Sequence, residues 1–123
     1  MSFHRSSLTT GMYNAVASTI NNRIGPTDVT VSAEQAAFDG NTDVVYFDSN
    51  YSNYCGFLWN GSGGAAIGLY ECQSLSGSKC QSAWVRFDTS WTDTATDPWR
   101  RALSCHESGH SLGLLPPPQR KRA

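Results

Sequence analysis

The sequence predicts an α+β domain from three observations. Apolar residues recur at helical spacing near the N-terminus, β-branched and aromatic runs fill the middle, and a capped helical pattern follows near the C-terminus. A chain of 123 residues suits one domain. We assign residues 1–115 to that domain, and residues 116–123, rich in proline and basic residues, to a disordered tail.

The first predicted helix covers residues 10–20. Met12, Val16 and Ile20 recur at four-residue intervals, which places them on one face of a helix. Gly25 and Pro26 follow, and both residues stop helices. The expected element is an amphipathic helix packed by its apolar face.

Strands are predicted over residues 28–32, 43–48, 65–72 and 83–88, because these runs alternate or are rich in β-branched and aromatic residues. The polar start of the chain receives no element, and His4 is expected to be solvated there. Residues 49–64, rich in Asn, Ser, Gly and aromatics, are predicted to form a long loop.

The last predicted helix begins at Asp97, taken as the N-cap, with Pro98 in the first helical position. It is expected to run to Leu112 and to stop at Gly113.

The four cysteines allow three disulfide connectivities. Cys72 and Cys80 bracket a turn-rich segment, so their pairing is preferred, and Cys105 would then pair with Cys55 or remain free.

An even cysteine number and only 15% charged residues favour an oxidising, extracellular compartment. The N-terminus has no apolar run of signal-peptide length, so an export signal would lie outside this chain.

The charge pattern gives no indication of nucleic-acid binding. Three of the nine basic residues are Arg120, Lys121 and Arg122, which leaves six basic against ten acidic residues before them. A domain with this excess of acidic residues is not suited to binding the phosphate backbone of a nucleic acid. No uncharged stretch is both long and apolar enough for a membrane span. We expect no nucleic-acid partner, no membrane and a monomer.

The last helix contains His106-Glu107-Ser108-Gly109-His110. On a helical wheel both imidazoles fall on the apolar face beside Leu103, and Glu107 falls at its border. Cys105 and Trp99 also join the predicted buried stripe. The predicted solvent face consists of Arg100, Arg101, Ser104, Ser108 and Ser111.

Histidines four residues apart project from successive turns and can reach one Zn²⁺ ion. The intervening glutamate can accept a proton from a water that the metal activates for attack on a carbonyl. His106 and His110 are therefore predicted zinc ligands and Glu107 the catalytic base. A chance pair of core histidines is the competing interpretation, but each ring would then need its own hydrogen-bond partner on an apolar face.

Residues 106–114 resemble the extended zinc signature of the metzincin metalloendopeptidases, H-E-x-x-H-x-x-G-x-x-H, in its matrixin-like form. The order of elements over residues 8–114 is also similar, and the four cysteines resemble those of small secreted bacterial members. The resemblance implies a twisted, mainly parallel sheet of four or five strands, an N-terminal helix and a zinc-binding active-site helix. It implies a secreted zinc metalloendopeptidase that hydrolyses a peptide or protein substrate lying along an edge strand, here expected at residues 83–88.

The chain departs from the family where the third zinc histidine should stand, because position 116 is Pro116. The family's Met-turn also has no counterpart, since the methionines are Met1 and Met12. We hypothesise a truncated or frame-shifted derivative that lacks the C-terminal subdomain. Weak zinc binding and little or no peptidase activity are expected. Possible third ligands are Asp28, Asp43, Asp48, Asp88 and Asp93.

Two rival functions stay open. A secreted carbohydrate-binding module would use aromatic side chains to stack on sugars. The aromatic residues considered for it are Tyr46, Tyr51, Tyr54, Trp59, Tyr70, Trp84 and Trp91. The second rival is a catalytically dead relic.

Overall fold

The computed structural model describes residues 1–51, 54–56, 58–77 and 79–112. Within them the fold is α+β, as predicted, with one four-stranded sheet and three α-helices. The elements in chain order are β1 (Phe3–His4), α1 (Thr10–Thr19), β2 (Val44–Ser49), β3 (Gly68–Ser76), β4 (Lys79–Asp88), α2 (Thr89–Thr92) and α3 (Asp97–Ser111). The predicted tail, residues 116–123, and the helix stop at Gly113 lie outside the described residues.

The sheet has the order β1-β2-β4-β3. β1, β2 and β4 run parallel, and β3 is antiparallel to β4. The sheet is therefore mixed, with four strands and mainly parallel pairing. The prediction that residues 83–88 form an edge was wrong, because β4 pairs on both sides. The turn at Gly77 folds β3 back along β4 and leaves β3 at the edge.

Two expectations for the N-terminal region were wrong. Residues 28–32 are described and form no strand; backbone hydrogen bonds from Ser32 to Met1 and from Gln35 to Phe3 hold this stretch beside β1. His4 lies in β1 and is buried rather than solvated. Its Nδ1 lies 2.9 Å from the Gln35 carbonyl oxygen and its Nε2 3.0 Å from Ser6 Oγ. A strand of only two residues is too short to show the alternation that a sequence pattern detects.

The two long helices form where the sequence predicts them. α1 continues into a π-helix over Ile20–Ile24, closed by the Gly25 amide donating to the Ile20 carbonyl. α3 begins one residue earlier than predicted, because Thr96 is the N-cap and Asp97 is the first helical residue. Pro98 still occupies the first turn, where its missing N–H is not needed.

The main core lies between one face of the sheet and the layer formed by α1 and α3. Its buried residues include Met12, Val16, Ile20, Val44, Tyr46, Val85, Phe87 and Leu103. Trp59, Ala66 and Leu69 form a second cluster under the loop that follows β2. In that loop, Tyr54–Gly56 and Asn60–Ser62 are short 3₁₀ turns. The main core, to which α3 contributes Leu103, fixes the position of α3 against the sheet.

The predicted disulfide between Cys72 and Cys80 is confirmed; it joins β3 to β4 across their hairpin. Cys55 and Cys105 are both free and exposed. Among the described helices, none combines the length and apolarity that a membrane crossing requires.

Candidate metal centre

The rotation of α3 about its axis differs from the predicted one. Its buried residues are Leu103, Ser104, Glu107 and Ser108. The two serines, which the helical wheel assigned to solvent, are fully enclosed, and Cys105 is exposed instead. Trp99, expected in the buried stripe, is 63% exposed.

Hydroxyl pairs explain this orientation. Ser104 Oγ lies 2.7 Å from Thr19 Oγ1 on α1, and Ser108 Oγ lies 2.8 Å from the Tyr46 hydroxyl on β2. Small side chains let α3 approach both elements closely, and each buried hydroxyl finds a partner. A helical wheel based on polarity cannot predict the burial of these two serines, because their hydrogen-bond partners lie far away in the sequence.

The rotation exposes the histidines and buries the glutamate. The His106 side chain is 48% exposed, so its predicted place on the apolar face was wrong, and His110 is partly buried. Glu107, predicted at the border, has no exposed surface. The site therefore combines a half-exposed histidine and a partly buried histidine with a fully buried carboxylate.

The two imidazoles converge through their Nε2 atoms, which lie 3.3 Å apart. The rings are nearly perpendicular, with centroids 4.7 Å apart. Two nitrogens bound to one tetrahedral zinc ion at about 2.0–2.1 Å lie roughly 3.3 Å from each other. Glu107 Oε2 is 3.9 Å from His106 Nε2, and the three ligand atoms all lie within 4.8 Å of one another. His106, Glu107 and His110 can thus hold a metal ion.

Glu107 is a buried acid without a hydrogen-bond partner on either carboxylate oxygen among the described residues. Burial raises the pKa of Glu107 to about 8. The backbone of Gly68 in β3 packs closely against the Glu107 side chain. A Cβ at position 68 would lie 3.1 Å from both Glu107 Cγ and Oε2. A buried orphan carboxylate is costly unless it is protonated or has a cation beside it.

His106 has the protonation preference that a metal ligand needs. Burial lowers the pKa of His106, and the charge of nearby His110 lowers it further. A neutral imidazole keeps a lone pair for a metal, so the geometry and the pKa shift favour the same role.

None of the five aspartates predicted as possible third ligands belongs to this group of the described residues. Asp43 accepts hydrogen bonds from Ser2, Asp48 accepts them from Thr9, and Asp88 accepts one from the Ser90 amide as the cap of α2. Position 116, where the family places its third histidine, lies outside the described residues.

Sequence reasoning missed two neighbours of the site on β3. Gly68 presses against Glu107, and the Tyr70 ring centroid lies 6.1 Å from that of His110. A glycine inside a strand can mark a close approach by another element. The position of Gly68 inside a predicted strand was therefore a signal for this contact. Nothing in the sequence indicated that Tyr70 lies near His110.

The aromatic residues considered for sugar stacking do not form one surface. Tyr46 and Trp59 are fully buried. Tyr51 and Tyr54 pack against Trp59, with ring centroids of Tyr51 and Trp59 4.8 Å apart.

Comparison of this chain with protein-family models, with curated proteins and with solved structures found no match.

Proposed function

We propose that this chain is built as a zinc-dependent metalloendopeptidase, with His106 and His110 as metal ligands and Glu107 as general base. The observation that supports it most strongly is the orphan carboxylate of Glu107 beside two converging Nε2 atoms. Packing alone gives no partner to those carboxylate oxygens, whereas a bound cation and an ordered water would satisfy them.

Zinc is the metal that this donor set favours. Imidazole nitrogens suit zinc, and the separation of the two Nε2 atoms equals the edge of a tetrahedral zinc site. When bound, the ion would lower the pKa of a coordinated water and polarise a substrate carbonyl.

Glu107 supplies the proton transfers. Its carboxylate would accept a proton from the attacking water and then deliver it to the amine that leaves when the peptide bond breaks. The pKa of about 8 in the metal-free protein is already near neutrality. A cation nearby would lower the pKa of Glu107, so that the deprotonated carboxylate would predominate over the neutral acid at neutral pH.

The substrate in this proposal is an extended peptide that pairs with the outer edge of β3. β3 has β4 on one side, and its other edge has no strand among the described residues. The strand begins at Gly68, directly beside Glu107. Main-chain pairing along β3 would place a scissile bond over the two histidines.

Two nitrogen ligands make a weak zinc site. The described residues bring no third side chain other than Glu107 into the group. Removing one ligand from a three-histidine set lowers metal affinity by orders of magnitude. We therefore propose weak zinc binding and little or no hydrolysis by this chain.

Calorimetric zinc titration together with cleavage of a fluorescent unfolded protein tests this proposal. His106→Ala and His110→Ala should each abolish zinc binding. Glu107→Gln is the matched control: it should still bind zinc, and any trace of cleavage should disappear. Unchanged zinc binding in both histidine variants would refute the site. Absence of zinc binding by the unsubstituted chain would instead favour the dead relic.

A further inference from the structure

A second feature of α3 lies on its exposed side, where a groove of about 910 Å³ separates it from α1 and the π-helix. Ser18, Asn22 and Arg23 line one wall. Arg101, Cys105 and His106 line the other wall. The hydroxyl pair of Thr19 and Ser104 joins the helices between these walls.

Two arginines in this groove differ from the other arginines of the described chain. Arg5, Arg86 and Arg100 each form an ion pair, with Glu34, Glu71 and Asp97 respectively. Arg23 and Arg101 are exposed and form no ion pair or side-chain hydrogen bond with any described residue. No acidic side chain lines this groove. Two arginines thus line one cleft that no carboxylate lines. Asp97 lines the adjoining pocket, where it already forms an ion pair with Arg100.

We infer that this groove is a docking site for an acidic peptide segment. Guanidinium groups bind carboxylates through paired hydrogen bonds, which makes an aspartate- or glutamate-rich chain the complementary occupant. Asn22 donates a hydrogen bond to the Ser18 hydroxyl, and both side chains keep further donor and acceptor capacity for a peptide main chain. Pro98 and Ala102 add apolar surface. Nucleic acid is disfavoured, because two arginines in a chain of net charge −1 neutralise few phosphates. Docking at this groove does not depend on a metal.

Two free cysteines of the chain can report whether a peptide occupies the groove. Cys105 lines the groove, Cys55 does not, and both thiols are free and exposed. Alkylation of each cysteine in the full chain would be followed by mass spectrometry in the presence of a chelator. An acetylated peptide of alternating aspartate and glutamate should slow alkylation of Cys105 several-fold and leave Cys55 unchanged. A lysine peptide of equal length should protect neither.

Charge reversal supplies the matched variants. Arg23→Glu combined with Arg101→Glu should weaken binding of the fluorescently labelled acidic peptide about tenfold, because two exposed attractions become repulsions. Arg120→Glu combined with Arg122→Glu changes the net charge equally and should leave binding intact. Four outcomes would overturn the inference: equal protection of both thiols, no protection at all, protection by a short DNA strand but not by the peptide, or loss of binding in the second variant alone. Because the chelator removes any bound metal, these outcomes do not depend on whether the proposed metal centre is correct.

Discussion

Glu107 is the residue whose environment is hardest to explain by packing alone. Both of its carboxylate oxygens are buried without a partner among the described residues. The serines on the same face of α3 show the contrast, since Ser104 and Ser108 each pair with a hydroxyl on another element. The helix satisfies its buried hydroxyls and leaves its buried acid unpaired. The proposed metal centre, which would place a cation and a water beside this carboxylate, would account for that difference.

The raised pKa of Glu107 predicts how the stability of the metal-free protein depends on pH. The folded-state pKa of about 8 lies above the ordinary value of 4.5. The neutral acid therefore contributes its full stability below about pH 4.5, and this contribution is lost as the pH rises toward about 8. Urea unfolding across this range should show a falling free energy of unfolding that flattens above pH 8. Glu107→Gln should remove that part of the slope, and an identical slope in the variant would contradict the assignment.

Gly68 leaves room for Glu107, so adding one methyl group there should be costly. A Cβ at position 68 would lie 3.1 Å from Glu107 Cγ, Glu107 Oε2 and Leu103 Cδ1. We expect Gly68→Ala to destabilise the protein by about 1–3 kcal/mol through overpacking and to weaken zinc binding. Gly40→Ala is the control, since nothing lies within 4 Å of a Cβ at that position. Equal thermal stability of the two variants would show that β3 does not press on the site.

Sequence could predict that His106, Glu107 and His110 lie close together, because their spacing alone brings them together on one helix. It could not predict which of them is buried. That depends on Thr19 and Tyr46, whose hydroxyls turn the serine face of α3 inward. Local periodicity contains no information about such distant partners.

At the scale of elements, α3 is held in its orientation by the two hydroxyl pairs. Ser108→Ala would leave the buried Tyr46 hydroxyl without its partner and should lower the free energy of unfolding by about 1–3 kcal/mol. Adding Tyr46→Phe removes the orphan group and should recover part of the loss. Chemical unfolding of the single and double variants measures this coupling. Strictly additive losses would mean that the pair does not anchor the helix.

The elements that sequence predicted well have strong patterns of their own. α1 and α3 have helical periodicity with stop or cap residues, and β2 and β4 are rich in β-branched and aromatic residues. The failures concern pairing. Residues 28–32 alternate like a strand but form only isolated hydrogen bonds with the region of β1. β4 is internal because β3 folds back onto it, and strand order depends on long-range contacts that no window of sequence contains.

For the whole molecule, the disulfide and the free thiols give a direct check. Native protein should show two reactive thiols, from Cys55 and Cys105. Reduction under denaturing conditions should raise the number to four. Replacing Cys72 and Cys80 together by serine should lower stability by about 2–3 kcal/mol, because a short loop in the unfolded chain is released. Four reactive thiols in the native protein would contradict the disulfide.

His106 belongs to both proposed sites. Its Nε2 lies 3.3 Å from His110 Nε2, and its side chain lines one wall of the groove between α1 and α3. A peptide docked in the groove would therefore lie against a proposed metal ligand. This shared residue is the structural link between the proposed metal centre and the inferred docking site.

X-ray absorption spectroscopy at the zinc edge, on the zinc-loaded full chain, tests the metal centre most directly. We predict two imidazole nitrogens at about 2.0–2.1 Å, with oxygen atoms completing the shell. The imidazole signal should vanish in the His110→Ala variant. A sulfur shell at about 2.3 Å would instead place the zinc on Cys55 or Cys105 and refute His106 and His110 as its ligands.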